Sequence, residues 1–422
     1  MLQIGYIRNN TELVKKRLAV KNFTELNLID EILDLDDERK KLQHEFETSQ
    51  AKVNSISREI GQLMSKGLKE DAENKKSEVA ALKSSLQPIN EKLVLLEKKL
   101  LDTLILIPNL PSEKVPPGKT PEDNIVVRAG GTDPNLPGGS IPHWDLIKKY
   151  GIVDFETGAK LTGSGFPLYK GKGAKLQRAL IQYFLDFNTA AGYTEYLPPL
   201  MVNEATAYGT GQLPDKEGQM YYMPADNFYL IPTAEVPVTN IYRDEIIKES
   251  DLPIKMTAYT PCFRREAGSF GKDVRGLNRV HQFDKVEIVQ LVHPEKSDDA
   301  HEEMISHVER LLNNLELPYR ILKLCGGDMS FASALTYDFE VFSAAQEKWL
   351  EVSSVSNFEV FQSNRMKIRF KDSNGKMQLV HTLNGSSLAL PRIVASLLEN
   401  NQSASGIQLP EVLHKYFGAS SL

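Results

Sequence analysis

The densest run of chemically able side chains lies between Thr257 and Leu291. Residues 257–267, with Arg264 and Glu266 near their end, read as a strand that places those two side chains on one face. A Gly-rich loop follows from Gly268 to Asn278, carrying Lys272 and Arg275. The chain then returns from Arg279 to Val289 as a second strand, where two-residue alternation puts His281, Phe283, Lys285 and Glu287 on a common face. Such a hairpin suits a nucleotide. Guanidinium groups take phosphates, an aromatic ring stacks on a base, and carboxylates accept amino or hydroxyl hydrogens. A salt-bridged sheet with no ligand accounts for the same residues, and this stretch taken alone favours that reading.

Spacing argues against several other chemistries. No GxxxxGK[ST] phosphate loop occurs, because Gly268-Ser-Phe-Gly-Lys272 continues into Asp273. No GxGxxG opens a helix after a strand, and Gly171-Lys-Gly173 reads as a plain turn. The stretch from His301-Glu302-Glu303 to His307 mimics a zinc-protease helix, but its second histidine comes two residues late and position 305 is Ile, so a surface helix is expected.

The elements that must position these residues separate by texture. From Leu28 to Leu104 the chain is dense in Lys, Glu, Leu and Ile and carries a heptad pattern. One series runs Leu28, Ile32, Leu35, Arg39, Leu42, Phe46, Ser49, Val53, Ile56, Ile60, Leu63. A second runs Val79, Leu82, Leu86, Ile89, Leu93, Leu96, Leu100, after a break at Ser65-Lys66-Gly67. This predicts an antiparallel helical hairpin whose arms, about 36 residues each, reach roughly 50 Å. Pro88 is expected to kink the second arm. Six acids and no base fall between Leu28 and Glu38, whereas Lys52 to Lys83 carries seven bases against five acids. A slightly basic distal half suits phosphate-backbone contact, but the charge pattern taken alone favours a solvated coiled-coil surface. The run 107–133 is rich in Pro and Gly and reads as a linker or strap. From 134 to 422, β-type runs, helices and turns alternate as in one large domain with both secondary structures.

Composition sets the outer bounds. In 422 residues there are 50 Lys+Arg against 56 Asp+Glu, a net charge of −6, with 41% hydrophobic and 25% charged residues. That is ordinary for a globular protein with an ample core. Two cysteines, Cys262 and Cys325, make neither a disulfide framework nor a four-cysteine zinc site, so a reducing, cytoplasmic setting is expected. The opening MLQIGYIRNN has no apolar core of a secretory or import signal, and no run approaches 18 apolar residues, so no membrane span is expected.

Six ordered motifs then carry a family resemblance. They are Gly192-Tyr-Thr-Glu-Tyr-Leu-Pro-Pro199, Thr233-Ala-Glu235, Phe263-Arg-Arg-Glu266 through His281-Gln-Phe283 to Glu287, Glu351-Val-Ser-Ser354, His381-Thr-Leu-Asn-Gly-Ser386 and Asn384 to Arg392. With the long hairpin in front, the whole chain resembles the class II aminoacyl-tRNA synthetases, and within them the seryl-tRNA synthetases of bacterial type. The resemblance implies an α+β fold: an N-terminal antiparallel helical hairpin in a tRNA-binding region (1–106, arm about 28–104), the 107–133 strap, and a catalytic domain (134–422) with an antiparallel sheet flanked by helices.

The resemblance also implies roles. Arg264 would bridge the ATP α-phosphate and the substrate carboxylate, Glu266 would accept from the adenine amino group, and Phe283 would stack on the ring. Arg275 and Arg392 would hold the outer phosphates, with Arg265, Val280, Val352 and Ser353 completing the ATP site. Glu351 and Ser354 would supply oxygen ligands to Mg²⁺. Arg264 and Arg392 are the expected catalytic residues, because the substrate carboxylate is already a nucleophile and needs only in-line positioning and charge neutralisation. Serine would be held by Thr233, Ala234, Glu235, Arg264, Glu287, Asn384 and Ser386, with Glu235 toward the ammonium group and Glu287 toward the hydroxyl. Lys52, Arg58, Lys66, Lys69, Lys75 and Lys76 are candidate contacts to tRNA. Expected partners are L-serine, tRNA(Ser), with tRNA(Sec) as a second acceptor, and a second copy of the chain, the arm of one subunit serving the other's site.

Two further classes stay in view: a synthetase-like ligase that charges another acceptor, and a catalytically dead RNA-binding scaffold. Paralogues of the first kind lack a long arm, and the second predicts erosion of Arg264, Glu266, Glu351 and Arg392, all of which are in place.

Overall fold

The computed structural model describes residues 1–134, 136, 139–215, 217–266 and 275–422. The Gly268–Lys272 run weighed above as a phosphate loop lies outside them, Lys272 included. The chain divides into two compact units, Met1–Ala19 with Phe23–Pro108, and Val20–Asn22 with Asn109–Leu422.

In the first unit, short helices α1 (Ile4–Asn9) and α2 (Thr11–Val20) precede the long α3 (Asn27–Ser65) and α4 (Lys69–Leu104). The long pair packs side by side along the predicted seam. Ile32, Leu35, Leu42, Val53 and Ile56 of α3 are buried, as are Leu86, Leu93, Leu96 and Leu100 of α4, and the remaining heptad residues are half-buried. The seam runs further toward the tip than the apolar series suggests, because small Ala72 is fully buried there. Gly67, at φ 77°, takes the left-handed turn that reverses the chain. Pro88 sits on the exposed side of α4, within the helix span.

The acidic run before Glu38 is less of a solvated face than its composition suggests. Asp36 is 2% exposed and pairs with Arg8 at 2.8 Å, Arg39 at 2.8 Å and Lys40 at 2.7 Å. Burial alone would raise this carboxyl; Lys40, Arg39 and Arg8 together hold it well below the usual carboxylate range. Arg39 therefore has a partner, which explains its polar lapse in the heptad series.

The second unit is built on an eight-stranded sheet. In chain order its elements include β1 (Ile125–Gly130), α5 (His143–Tyr150), α6 (Lys172–Ala190), β2 (Thr194–Glu195), α7 (Glu235–Thr239) and β3 (Ile254–Phe263). There follow β4 (Gln282–Val292), α8 (Ser297–Asn314), β5 (Tyr319–Lys323), β6 (Leu335–Ser343), β7 (Lys348–Glu359), α9 (Phe361–Met366), β8 (His381–Ala389) and α10 (Leu390–Asn400). The strand order is β1-β5-β6-β7-β8-β4-β3-β2, antiparallel throughout except for β2 against β3. Part of the 107–133 strap thus forms an edge strand.

Alternation along the strands sorts the two faces. Val286, Ile288, Phe339, Val341, Val355 and Leu383 join residues of α6, α8 and α10, such as Phe184, Met304 and Ile393, in the main core. The neighbouring positions face the other way. There Ala234, just before α7, Val238 from α7 and Met366 from α9 cover Met256, Ala258, Val289 and Leu291 in a smaller core, and the remainder of that face is open.

Two strand boundaries differ from the sequence-based expectation, and the expected surface helix turns its histidines inward. The β3 strand stops at Phe263, so Arg264 and Glu266 lie beyond it, and Glu266 has a left-handed φ of 47°. The chain leaves the sheet there because the Arg264 N–H bonds to the His281 carbonyl at 2.9 Å and the Arg265 N–H to the Gln219 carbonyl at 2.9 Å. The return strand begins at Gln282, later than Arg279. The helix holding His301 and His307 is amphipathic, with both histidines on its buried face. His301 Nε2 meets the Val355 carbonyl at 3.1 Å, and His307 Nε2 meets Asn188 Oδ1 at 2.7 Å.

Candidate active site

On the sheet face opposite the main core lies a cavity of about 680 Å³. Its wall includes Thr233, Glu235, Arg264, Glu266, Val280, Phe283, Glu287, Glu351, Val352, Ser353, Ser354, Asn384, Ser386 and Arg392. Residues spread over 160 positions of sequence meet there because β4, β7 and β8 are neighbours in the sheet.

At one end the cavity is acidic and enclosed. Glu287 is 3% exposed, paired with Lys285 Nζ at 2.8 Å, and approached by the Ser386 hydroxyl at 3.4 Å. The pairing of Glu287 with Ser386 is set by β4–β8 register, in which the two residues are directly opposite. From β3, the Thr257 hydroxyl donates to the Glu287 carbonyl at 2.8 Å, fixing the strand from beneath. Glu235, at the start of α7, is also buried, and its N–H donates to Thr233 Oγ1 at 3.3 Å. Burial, and then the nearby Glu287, push the Glu235 carboxyl up to about 7. Two buried carboxylates beside one ammonium make a pocket short of positive charge.

In the middle, the Arg264 guanidinium lies over the Phe283 ring at 5.2 Å, and its Nε donates to the Pro232 carbonyl at 3.3 Å. Phe283 is opposite Cys262 in the β3–β4 ladder. Glu266 pairs with Arg279 at 2.9 Å. His281 braces this corner: its N–H donates to the Gly165 carbonyl at 2.9 Å and its ring stacks on Phe166.

At the other end, Arg392 donates from Nη1 to the Glu351 carbonyl at 2.6 Å and from Nε to the Asn278 carbonyl at 3.1 Å. Glu351 and Ser354 are three residues apart, which in a regular strand puts them on opposite faces. The β6–β7 register shifts between Phe339–Ser353 and Glu340–Glu351, inserting an extra residue at Val352. That bulge lets both side chains reach the same cavity. Asp338, directly across from Ser354, lines the same wall, and its Oδ1 has no hydrogen-bond partner among the described residues. Burial, with Glu351 nearby, holds the Asp338 carboxyl well above its usual range. An oxygen-only donor set with an unpartnered buried carboxylate oxygen fits a hard divalent cation such as Mg²⁺.

Some expected residues stand apart. The Arg275 side chain is exposed, lies over the Trp144 ring at 4.5 Å and is not on the cavity wall. Arg265 turns to the Met220 carbonyl at 2.9 Å and over the Tyr221 ring. Ala234 is buried in the smaller core. In the first unit, Lys52, Arg58, Lys66, Lys69 and Lys76 are exposed on the hairpin, and Lys75 pairs with Glu78 at 3.2 Å and Glu59 at 3.4 Å. The sequence reading missed Lys285 as a partner of Glu287, Asp338, and Gln362, which contacts Glu235. Lys285 was visible on the shared strand face; the others depend on pairings between distant strands and helices.

Comparison with known proteins places the whole chain in one family. Residues 1–111 match the family model described as the seryl-tRNA synthetase N-terminal domain. Residues 221–401 match the tRNA synthetase class II core domain (G, H, P, S and T). The serine–tRNA ligase of Salinibacter ruber is 49% identical over 420 residues, covering 99% of this chain and 98% of the relative. The crystal structure of seryl-tRNA synthetase from Pyrococcus horikoshii complexed with ATP superposes with a TM-score of 0.91 at 34% identity, covering 100% of this chain and 99% of that one. The cytoplasmic serine–tRNA ligase from Naegleria fowleri in complex with AMP gives 0.86 at 25% identity, covering 100% and 98%. Matched along its whole length in sequence and in fold, the chain belongs to the seryl-tRNA synthetase family of class II aminoacyl-tRNA synthetases.

Proposed function

We propose that this protein is an ATP-dependent serine–tRNA ligase, which activates L-serine to seryl-adenylate with release of pyrophosphate and then transfers the seryl group to the 3′ end of tRNA(Ser), with tRNA(Sec) as a second acceptor. The observation that carries the reading is a single cavity in which an enclosed carboxylate pocket adjoins an arginine–aromatic pair and an oxygen-rich wall. Serine's ammonium group goes to Glu235 and its hydroxyl donates to Glu287, with Thr233, Asn384 and Ser386 closing the pocket. Alanine lacks the hydroxyl and leaves buried polar groups unpaired, so it is rejected electrostatically; threonine is rejected by its extra methyl.

Arg264 leaves the Phe283 ring face to adenine and forks between the serine carboxylate and the α-phosphate. Glu266 accepts from the adenine amino group. A serine carboxylate oxygen attacks the α-phosphorus, and the bond to the β-phosphate oxygen breaks in line, so pyrophosphate leaves with the electron pair. Arg392, and Arg275 from its place on Trp144, neutralise the outer phosphates. Glu351 and Ser354, with Asp338 beside them, would hold Mg²⁺, which when bound supplies charge neutralisation at the phosphates. No general base is needed, because the nucleophile is already ionised. In the second step the 3′-hydroxyl of the terminal adenosine attacks the adenylate carbonyl and AMP departs.

The hairpin binds tRNA by shape and backbone contact through the bases of its distal half. The enzyme works as a homodimer in the cytoplasm, where its two free buried cysteines stay reduced. Among the described residues no helix is long and apolar enough to cross a membrane. The test is amino-acid-dependent ATP–pyrophosphate exchange over serine, threonine, alanine, glycine and cysteine without tRNA. Exchange with serine alone is expected; exchange led by another amino acid, or none, would overturn the assignment. A hybrid dimer with one arm removed and one active site disabled addresses the cross-subunit path. Charging should require the intact arm and the intact site on different subunits.

A further inference from the structure

Behind the Glu235 carboxylate sits Gln362, a residue that no step above uses. It is 1% exposed, on α9, and its Nε2 donates to Glu235 Oε1 at 2.6 Å and to the Thr210 carbonyl at 3.1 Å. Its own carbonyl oxygen accepts from the hydroxyl of Thr382, fully buried on β8, at 2.7 Å. Every hydrogen-bonding position that matters on this amide is therefore used. Turning the amide over would place its oxygen against two acceptors, the Glu235 carboxylate and the Thr210 carbonyl, so the network admits one orientation.

We propose that Gln362 is the positioning residue for substrate amino-group recognition: it holds Glu235 as a carboxylate with one oxygen fixed and the other left for the ammonium group, while Thr382 locks the amide the right way round. This rests on the assignment of Glu235 to the ammonium group of serine. A neutral donor suits the task better than a cation would. It stabilises the ionised carboxylate without supplying a counter-charge, so the substrate's ammonium has no competitor.

The charged groups facing Glu235 sharpen the argument. Glu287 on β4 opposes its ionisation, while Lys285 on β4 and Arg264 after β3 favour it. Lys285 is already committed to Glu287 at 2.8 Å, and Arg264 to the substrate carboxylate in the reading above. Among the described residues, Gln362 is the side chain that donates directly to the carboxylate. With the carboxyl raised to about 7 by burial and by Glu287, loss of that donor leaves it protonated across neutrality. A protonated Glu235 offers the ammonium no charge.

The experiment uses the full-length enzyme in ATP–pyrophosphate exchange between pH 6 and 9, with Q362M, T382V and wild type compared. Q362M keeps the volume and removes both the donors and the acceptor. It should raise the serine KM by about tenfold or more, the effect of one lost charge-assisted hydrogen bond, with kcat and the ATP KM within about twofold. The acid limb of kcat/KM for serine should move to higher pH, so the defect shrinks as pH is raised. T382V, which frees the amide to turn, should show the same pattern more weakly. A purely structural role predicts serine and ATP KM rising together, with no recovery at high pH; that outcome, or an unchanged serine KM and acid limb in both variants, overturns the proposal. If Q362M does not fold, T382V alone decides. Wild-type enzyme without serine-dependent exchange would instead overturn the reading of Glu235 on which the proposal stands.

Discussion

Glu287 and Glu235 are both buried carboxylates in one pocket, yet their surroundings differ. Glu287 has a cation at 2.8 Å and Glu235 has a neutral amide at 2.6 Å. Replacing Glu287 with Gln keeps its shape, leaves Lys285 without its counter-charge, and offers the serine hydroxyl a weaker acceptor. E287Q should raise the serine KM at least about a hundredfold and narrow the preference for serine over alanine, both measurable by exchange with the two amino acids side by side. Glu235 adds a pH signature to the ligand-free protein. Its folded pKa lies at about 7, above the unfolded 4.5, so between those values the native state binds more protons and stability falls as pH rises. Serine at saturation should remove that slope, because the ammonium favours the ionised form; thermal unfolding with and without serine from pH 5 to 8 checks it. The acidic and aromatic members of this pocket were legible in the sequence because strand alternation puts Phe283, Lys285 and Glu287 on one face. Gln362 was not, since its meaning comes from α7 and β8 meeting behind it.

The elements show where sequence patterns stop being informative. Heptad spacing is a statement about one helix face, and it holds from Ile32 to Leu100 because helical hairpin packing is local. The bulge at Val352 has no comparable signature: it exists only relative to the partner strand, and it decides whether Glu351 and Ser354 share a face. The end of β3 was likewise misplaced, because hydrogen bonds from Arg264 and Arg265 to His281 and Gln219, not the local sequence, end the strand. The anchor at the C-terminal end of the Gly-rich loop is tertiary as well. His143 Nε2 accepts the Leu277 N–H at 2.9 Å while Nδ1 donates to buried Glu399 at 2.7 Å, and Trp144 carries Arg275 on its ring. Gly276 has a φ of 66°, and a Cβ there would lie 2.3 Å from His143 Nε2. G276A should therefore destabilise the second unit by at least about 1–2 kcal/mol, the strain of a left-handed alanine plus the clash. Displacement of Arg275 should raise the ATP KM several-fold with the serine KM little changed. Unfolding midpoints and the two KM values would check this; equal rises in both KM values would argue that the anchor serves the whole cavity.

At the scale of the molecule, the two compact units have separate cores. In the larger unit, burial lowers His301, His307 and His381 to about 4, so each remains neutral in the fold at a pH where the unfolded chain is protonated. From pH 6.5 down to 4 the unfolded state binds the extra protons and stability falls, a trend that outweighs the opposite slope of the single Glu235. The unfolding midpoint should drop across that range, and H307Q, which can keep a hydrogen bond to Asn188, should flatten the drop. The smaller unit can be shortened without touching this core. Excising Lys52–Lys83 and rejoining the helices through a Gly-Ser turn removes the tip of the seam but leaves Ile32, Leu35, Leu93, Leu96 and the Asp36 cluster in place. If the hairpin serves only the tRNA, serine-dependent exchange should stay within about twofold while charging of tRNA(Ser) falls by a hundredfold or more, the scale of losing several phosphate contacts. A folded, shortened protein that also lost exchange would mean that the arm supports the catalytic cavity, and the division of labour between the units would have to be redrawn.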